Sequence, residues 1–536
     1  MTAGSIGDHP PAGTSPLELH GGRPLVGRQD AQASPDALGV DTAPRPPRVV
    51  VVGAGIAGLA AALRIADAAR RVELVVCEAG SRAGGVIATE RDGGYLVEAG
   101  PDSFLTEKPE ALRLCEQLGL ASGVVGVQTG AGRAYVVRAG RVVPIPDGFR
   151  LVAPTRLLPW LRSPLFSWPG KARMAMDLVL PRGRPAADET IRSFVTRRFG
   201  REAFERVAQP MIGTIYTGDA AALSLEATMP RLAEVERRYG SVIRGLVLAH
   251  AAARRSGHGT PARGAQTGRR LSIFATLADG MQALPDAAAA RLPAGTLRLR
   301  TPIRAVARAA DGARYAVALE DGPPIEADAV IVAVNAPAAA RLVAGLDGAL
   351  ASHLGAIAYA SSASVTLAYR RDEIRHPLDG LGFVVPQIER RPILAASFAS
   401  VKFPGRAPAG RVLIRVFLGG ALAPEMADVP DDRLAAIVRG EMEALLGASG
   451  TPDFVRVLRH RETMPQYVVG HLARVAEIED RLAGHPGLAL AGAAYRGIGI
   501  PDCIRSGEAA ADRALDAMRV PRAGDPTRRE ARRPPG

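Results

Sequence analysis

Three features of the 536-residue sequence predict an α/β fold in which a parallel sheet is interleaved with a second, mixed sheet and a helical region. Arg48 to Glu78 reads as strand, glycine turn, helix and strand; Leu297 to Val334 carries a further set of strands; residues 188 to 250 read as helices. In the first unit, the valine run 49–52 has the composition of a strand buried on both faces. The turn Gly53-Ala54-Gly55-Ile56-Ala57-Gly58 follows, and such glycines let a backbone bend tightly and approach a pyrophosphate at a helix N-terminus. Val72 to Cys77 then ends on Glu78, 20 residues beyond Gly58, where a carboxylate can accept hydrogen bonds from a ribose diol. The unit is Rossmann-like and predicts a bound adenine dinucleotide; a tight turn without ligand is the bland alternative.

The next residues, Glu78-Ala79-Gly80-Ser81-Arg82-Ala83-Gly84-Gly85-Val86, add a glycine pair and a cation beyond the ribose-binding acid, suited to the far phosphate of a longer, permanently held cofactor. The competing reading makes Arg82 a solvated loop residue and Gly84-Gly85 a plain turn. Further along, Pro109 to Leu118 predicts a helix with proline in its first turn, and Val136 to Pro144 a hairpin around Ala139-Gly140. Thr190 to Phe199 predicts a helix opening after Asp188. Strands are expected over Leu297–Ala307, Tyr315–Leu319 and Ala329–Val334, the first two joined at Asp311-Gly312.

A chain of this length with 47% hydrophobic residues buries a large core in more than one domain. Cys77, Cys115 and Cys503 form neither a disulfide framework nor a metal-ligand spacing, which suits a reducing cytoplasm. The nine histidines show no HxH or HExxH pairing, so no metal is expected. The start lacks the pattern of a secretory signal, and no apolar run approaches the roughly 20 residues that span a bilayer. Residues 1–47, rich in Pro, Gly, Ala and Ser with scattered acids, read as a disordered extension.

The net charge of +13 raises nucleic acid as a partner, but +5 of it falls in residues 251–270 and +4 in residues 519–536, which read as a solvated loop and tail. No basic helix with interleaved aromatics is present, so no nucleic-acid partner is expected. Residues 150–182 are different. They carry Arg150, Arg156, Arg162, Lys171, Arg173 and Arg182 against Asp177, together with both tryptophans, Trp160 and Trp168, and several leucines. Two readings stand: a surface resting peripherally on anionic lipid, or helices packed on the substrate domain with snorkelling arginines. Pro154, Pro159, Pro164 and Pro169 break this region into short pieces.

The run Glu78 to Gly85 resembles the ExxxRxGG extension of the flavin-containing amine oxidase, phytoene desaturase and porphyrinogen oxidase superfamily. The blocks Gly93–Lys108, Met464–His471 and Leu490–Gly507, in this order and more than 350 residues apart from first to last, resemble bacterial protoporphyrinogen and coproporphyrinogen III oxidases. The resemblance covers roughly Arg48 to Val520. It implies an FAD-binding Rossmann-like domain in three pieces (48–135, 271–335 and 475–520), interleaved with a helical substrate-entrance domain (136–250), a basic flexible loop (251–270) and a substrate-binding domain (336–474), before a disordered tail (521–536).

For FAD the resemblance implies the residues of the Gly53–Gly58 turn, Glu78, Ala79, Arg82, Gly85, Val86, Gly100, Pro101, Asp102, Ser103, the backbone of Ile303, and Gly492, Ile498, Gly499 and Ile500. It implies six-electron oxidation of a porphyrinogen in heme synthesis over three flavin cycles, with dioxygen as acceptor and hydrogen peroxide as product. Few polar catalytic residues are then needed, because the cofactor carries the difficult step. A homodimer and hand-over of the product to a ferrochelatase-type enzyme are compatible with this reading. Lys108, one of three lysines with Lys171 and Lys402, is nominated for a substrate propionate, against the plainer reading of a surface lysine beside Glu107 and Glu110. Asp502 is expected to cap the helix that starts near Pro501 while the neighbouring backbone faces the flavin. Carotenoid desaturases and amine oxidases are the alternatives. The strand Ala360–Tyr369 has Ser364 where amine oxidases carry a lysine, which favours the porphyrinogen reading. A non-enzymatic escort-type binding protein is a further alternative, disfavoured by the intact flavin segment.

Overall fold

A computed structural model describes residues 45–518, apart from 69–70, 129–131, 151–152, 184–187 and 256–271. Most of the expected N-terminal extension and basic loop, and the whole expected tail, lie outside the described residues. Arg48–Val52 is the centre of a five-stranded parallel sheet, ordered Leu297–Arg298, Glu73–Cys77, Arg48–Val52, Ala329–Val332 and Leu488–Leu490. Strand alternation sends Val49 and Val51 into the core formed with helices Ile56–Ala68 and Ile500–Ala517, while Val50 and Val52 enter the core on the opposite face. The valine run is buried on both faces because both faces are covered.

Helix Ile56–Ala68 is built largely of small residues, and this lets helix Ile500–Ala517 approach closely. A methyl group on Gly507 would lie 2.0 Å from the Ala57 carbonyl oxygen. The C-terminal helix is thereby fixed beside the first glycine turn, about 450 residues earlier in the chain.

The expected single strand Leu297–Ala307 is two strands. Leu297–Arg298 joins the parallel sheet, and Ile303–Arg308 opens an antiparallel meander with Tyr315–Leu319 and Ile325–Ala327. Arg300 takes a left-handed φ of 49° and Pro302 has no N–H to give to a ladder, so the chain changes sheets between them. The hairpin turn at Asp311-Gly312 forms as expected, with the Asp311 carboxylate accepting from the backbone of Ala313 and Arg314.

A seven-stranded mixed sheet runs Phe454–Pro465, Tyr359–Arg370, Arg411–Gly419, Ala395–Ser397, Gly382–Val384, Tyr135–Arg138 and Arg141–Pro144. The last pair is the hairpin expected around Ala139-Gly140, both at positive φ. Strand Phe274–Leu277 pairs with Phe104–Leu105 and Val124–Gly126, stitching the chain's middle to its first quarter.

The helical layer includes Leu157–Arg162, Trp168–Ala175, Ile191–Phe199, Gln209–Tyr216, Pro230–Tyr239 and Val242–Arg255. Thr190, rather than Asp188, caps Ile191–Phe199, accepting from the Ser193 N–H; the Asp188 carboxylate takes the Ser224 hydroxyl and the Gly470 N–H instead. The π-turn Phe204–Ala208 precedes Pro210, whose ring excludes a regular α-helical bond there. Val242–Arg255 carries helix into the first five residues of the span 251–270, the rest of which lies outside the described residues. Asp177 and Arg198, both fully buried, anchor this layer: Asp177 also accepts from the Ser241 hydroxyl and the Ile243 N–H, and Arg198 donates to the carbonyls of Pro181 and Gly240.

Candidate functional site

The first glycine turn is shaped by contacts that only glycine permits. Gly53 has a φ of 101° and donates to the Cys77 carbonyl, and a methyl group on Gly58 would stand 1.9 Å from the Gly53 oxygen. One on Gly55 would meet no other atom within 4 Å, so this side of the turn, at the start of helix Ile56–Ala68, is open to a ligand. The Glu78 carboxylate accepts from the Ala54 N–H and the Gly80 N–H, each at 2.8 Å, and faces a cavity of about 290 Å³. That cavity brings together the predicted Gly53, Glu78, Ala79 and Ile303 with Arg304 and Arg341, which sequence reasoning did not single out. A residue beside Ile303 and a helix following the Ala329–Val332 strand carried the available signal.

Arg82 is placed differently from a free phosphate-binding cation. Its guanidinium donates to the carbonyls of Ala83, Gly85 and Ile87 and to Gln282, and so clamps its own loop. Gly84 donates to Ala54, and Gly85 packs on the Gly55 backbone, with Val86 exposed beside it. Gly100 is pressed in turn against Val86, where a methyl group would be 1.8 Å from the Val86 oxygen. The segments 53–58, 84–86 and 100–103 are thus successive plies of backbone.

The far end of the site is formed by residues 492–502. Gly499 precedes helix Ile500–Ala517, and no side chain caps that helix, which leaves its first-turn N–H groups for an acceptor outside it. The expected capping role of Asp502 is corrected. Its buried carboxylate instead pairs with Lys108 Nζ at 2.5 Å and with Arg505. Lys108 remains 38% exposed and is therefore placed at the helix start with one flank in solvent. The loop before the helix is held by Tyr467, whose hydroxyl donates to the Ala493 carbonyl and accepts from the Gly497 N–H; His471 stacks on Tyr467 and bonds the Tyr495 carbonyl. This is the structural work of the Met464–His471 block, whose role the sequence did not disclose.

Between the two ends lies a buried charge cluster that sequence reasoning missed except for Asp102. Asp102 pairs with Lys402 at 3.0 Å and accepts from Ser103; although burial pushes its carboxyl up, Lys402 and these hydrogen bonds hold it below the usual range. Glu98 meets Arg406 at 3.3 Å, and burial pushes its carboxyl up. Arg415 donates to the Gly100 carbonyl at 2.6 Å and to the Ser364 hydroxyl, which also lies 3.4 Å from His460 Nε2. Burial, reinforced by Arg415, pulls the His460 imidazole down to about 4, so it is neutral at physiological pH. Carboxylates at 98–102 and cations at 402–415, about 300 positions apart, give no spacing signal for such a cluster.

In the 150–182 region Trp160 is buried while Trp168, Leu157, Leu158 and Val179 are exposed. Lys171 donates to the Leu161 carbonyl and lies over the Trp168 ring, and Arg173 is spent on the carbonyls of 196–198. Among the described residues no helix is long and apolar enough to cross a membrane.

An open glycine turn, a carboxylate beside an adenosine-sized cavity and an uncapped helix start at the far end together suit a long dinucleotide, which places the protein among nucleotide-dependent oxidoreductases. The chain belongs to the flavin containing amine oxidoreductase family, whose model matches residues 56–515, and its cofactor is FAD. It is 34% identical to a coproporphyrinogen III oxidase of Bacillus subtilis (87% of this chain, 97% of the relative) and 35% identical to that of Propionibacterium freudenreichii (90% and 93%). It is 32% identical to the protoporphyrinogen oxidase of Bos taurus (87% and 98%). A solved structure from Exiguobacterium sp. 255-15 is similar with a TM-score of 0.77 at 29% identity, covering 88% of this chain and 99% of that one.

Proposed function

We propose that the protein oxidises a porphyrinogen, foremost coproporphyrinogen III, to the corresponding porphyrin. The observation that carries this reading is the pairing of an FAD cradle with relatives of this activity over nearly the whole chain. Bound FAD supplies an electron sink that takes one pair at a time. Six electrons leave the macrocycle in three turnovers, and three dioxygen molecules are reduced to three hydrogen peroxides. The chain's own task is to hold the cofactor and exclude water. We assign the Gly53–Gly58 turn and Glu78 to the pyrophosphate and ribose, Ile303 to the adenine side, and Gly499 and Ile500 to the pyrimidine side of the isoalloxazine. In this assignment Arg82 acts through its loop, and Lys108 uses its solvent-facing flank for a substrate carboxylate while Asp502 orients it. The exposed Leu157, Leu158, Trp168 and Val179, flanked by basic residues, support peripheral contact with an anionic lipid surface.

The test is purification of the chain, a visible spectrum, and porphyrin fluorescence with coproporphyrinogen III and protoporphyrinogen IX supplied separately under air. A flavin spectrum with faster porphyrin formation from coproporphyrinogen than the autoxidation blank is expected. Bound FAD with neither porphyrin formed overturns the substrate assignment in favour of amines or carotenoids. An unchanged KM in Lys108→Met removes the role given to Lys108.

A further inference from the structure

The largely buried cluster holds two carboxylates and three cations: Glu98 answers Arg406, Asp102 answers Lys402, and Arg415 makes no ion pair among the described residues. Arg415 is 6% exposed and stands on strand Arg411–Gly419 opposite Thr366. Its Nε and the Thr366 hydroxyl are both buried without a hydrogen-bond partner. Guanidinium does not shed its proton, so a buried one without a counter-charge calls for an anion or a developing negative charge nearby. Burial works against this charge, with Asp102 and Glu98 supporting it only from a distance.

The position of Arg415 narrows what that charge is. Its Nη1 grips the Gly100 carbonyl, and Gly100 lies on Val86, next to Gly85 on the Gly55 backbone. At its other end the 100–108 segment meets the start of helix Ile500–Ala517 through Lys108 and Asp502. Arg415 therefore backs, from the side of the seven-stranded sheet, a segment that touches both ends of the FAD cradle. A propionate on the rim of a macrocycle is better served by a cation with a solvent-facing flank, as Lys108 has.

Resting on the flavin oxidase reading, we propose that Arg415 is the fixed cation that balances the negative charge acquired by the bound isoalloxazine on reduction, with Ser364 and Thr366 lining its position. With FAD bound, each turnover would break one substrate C–H bond with transfer of hydride, leaving the cofactor one unit more negative, and would release one proton to solvent; over three turnovers the three hydrides and three protons comprise four bridging-carbon hydrogens and two N–H hydrogens. Arg415 is a positioning residue in this scheme: it stays charged throughout and exchanges no proton.

The experiment measures sulfite affinity and the two-electron midpoint potential of the holoenzyme in Arg415→Met, Arg415→Lys, Ser364→Asp and the exposed control Arg141→Met. Sulfite adds to an oxidised flavin and leaves negative charge on the ring, so it reports the same stabilisation without turnover. Arg415→Met and Ser364→Asp, the latter supplying the missing counter-ion, are expected to weaken sulfite binding at least about tenfold and to lower the potential by about 30 mV or more. Arg415→Lys and Arg141→Met should stay close to the parent. Should Arg415→Met not fold, Ser364→Asp decides. Unchanged sulfite affinity and potential overturn the proposal, as does a raised KM alone, which would make Arg415 a propionate anchor. A parent protein that shows no flavin bands after reconstitution overturns the flavin reading itself.

Discussion

Alanine at Gly55 should separate cofactor binding from folding. A methyl group there meets no protein atom within 4 Å, and the φ of Gly55 is not in the left-handed region, so the folded chain accommodates it without strain. Fewer unfolded conformations then make the apo protein as stable as the parent or more stable by about 0.4–1 kcal/mol. The same methyl group intrudes on the open side of the turn, where the pyrophosphate is assigned. A tenfold loss of FAD affinity, about 1.4 kcal/mol, is the least expected. At a fixed excess of FAD the stabilisation by ligand should shrink by the same amount. Gly58→Ala is the counterpart: its methyl group would sit 1.9 Å from the Gly53 oxygen, against the roughly 3.4 Å of ordinary contact, so the turn must open by more than an ångström. Overpacking of this kind costs about 1–3 kcal/mol and should lower apo stability as well. Thermal unfolding of both variants with and without FAD, alongside titration of apoprotein with FAD, measures each effect. Parent-like FAD affinity in Gly55→Ala, or a loss of apo stability there as large as in Gly58→Ala, refutes the assignment.

Asp177→Asn should cost up to about 3 kcal/mol, since it removes the closer carboxylate of the fully buried Arg198 and leaves only Glu236 at 3.4 Å among the described residues; urea midpoints measure this. His460 titrates near 4 when folded against about 6.5 when unfolded, so between those values the unfolded chain binds more protons and stability falls as pH is lowered, by at most about 3 kcal/mol. His460→Gln should remove that part of the slope in urea midpoints measured from pH 7 to 4. Burial pushes the thiols of Cys115 and Cys503 up to about 12, so both should resist alkylation in the native protein and react promptly in denaturant, as mass spectrometry would read.

The parallel sheet was legible because local pattern and global role coincide there: a four-valine run is buried on both faces, and each glycine of the first turn meets a backbone atom or an open ligand side. The hairpins at Ala139-Gly140 and Asp311-Gly312 were legible for a similar reason, since positive φ selects the residues that occupy them. Leu297–Ala307 misled because apolar alternation continues through a change of sheet, and only Arg300 and Pro302 mark the break. The roles of Arg82 and Asp502 were ambiguous in sequence because a cation in a glycine loop, or an acid in a first helical turn, reads the same whether it meets a ligand, a helix end or another side chain. Arg415 was invisible for a different reason: its significance lies in Gly100, Ser364 and Thr366, brought to it by two segments distant in sequence.

That dependence also ties segments far apart in sequence into one folding unit. Arg406 lies beyond the Ala399–Lys402 helix of the substrate side, yet it donates to the carbonyls of Leu277 and Ala278 and meets Glu98 on the cofactor side, while its own carbonyl accepts from the Leu96 N–H. Lys402 reaches Asp102 in the same way. Unfolding either the 96–102 or the 402–406 segment alone would leave Glu98 or Arg406 without its partner, and removing one partner of a buried pair is worth several kcal/mol. The described residues from Pro46 onward accordingly form one compact unit, although the chain crosses between sheets several times. The cost of burying these charges is thus offset by cooperativity. The residues assigned around the cofactor come from segments far apart in sequence, so the assigned surroundings exist only when all of those segments are folded.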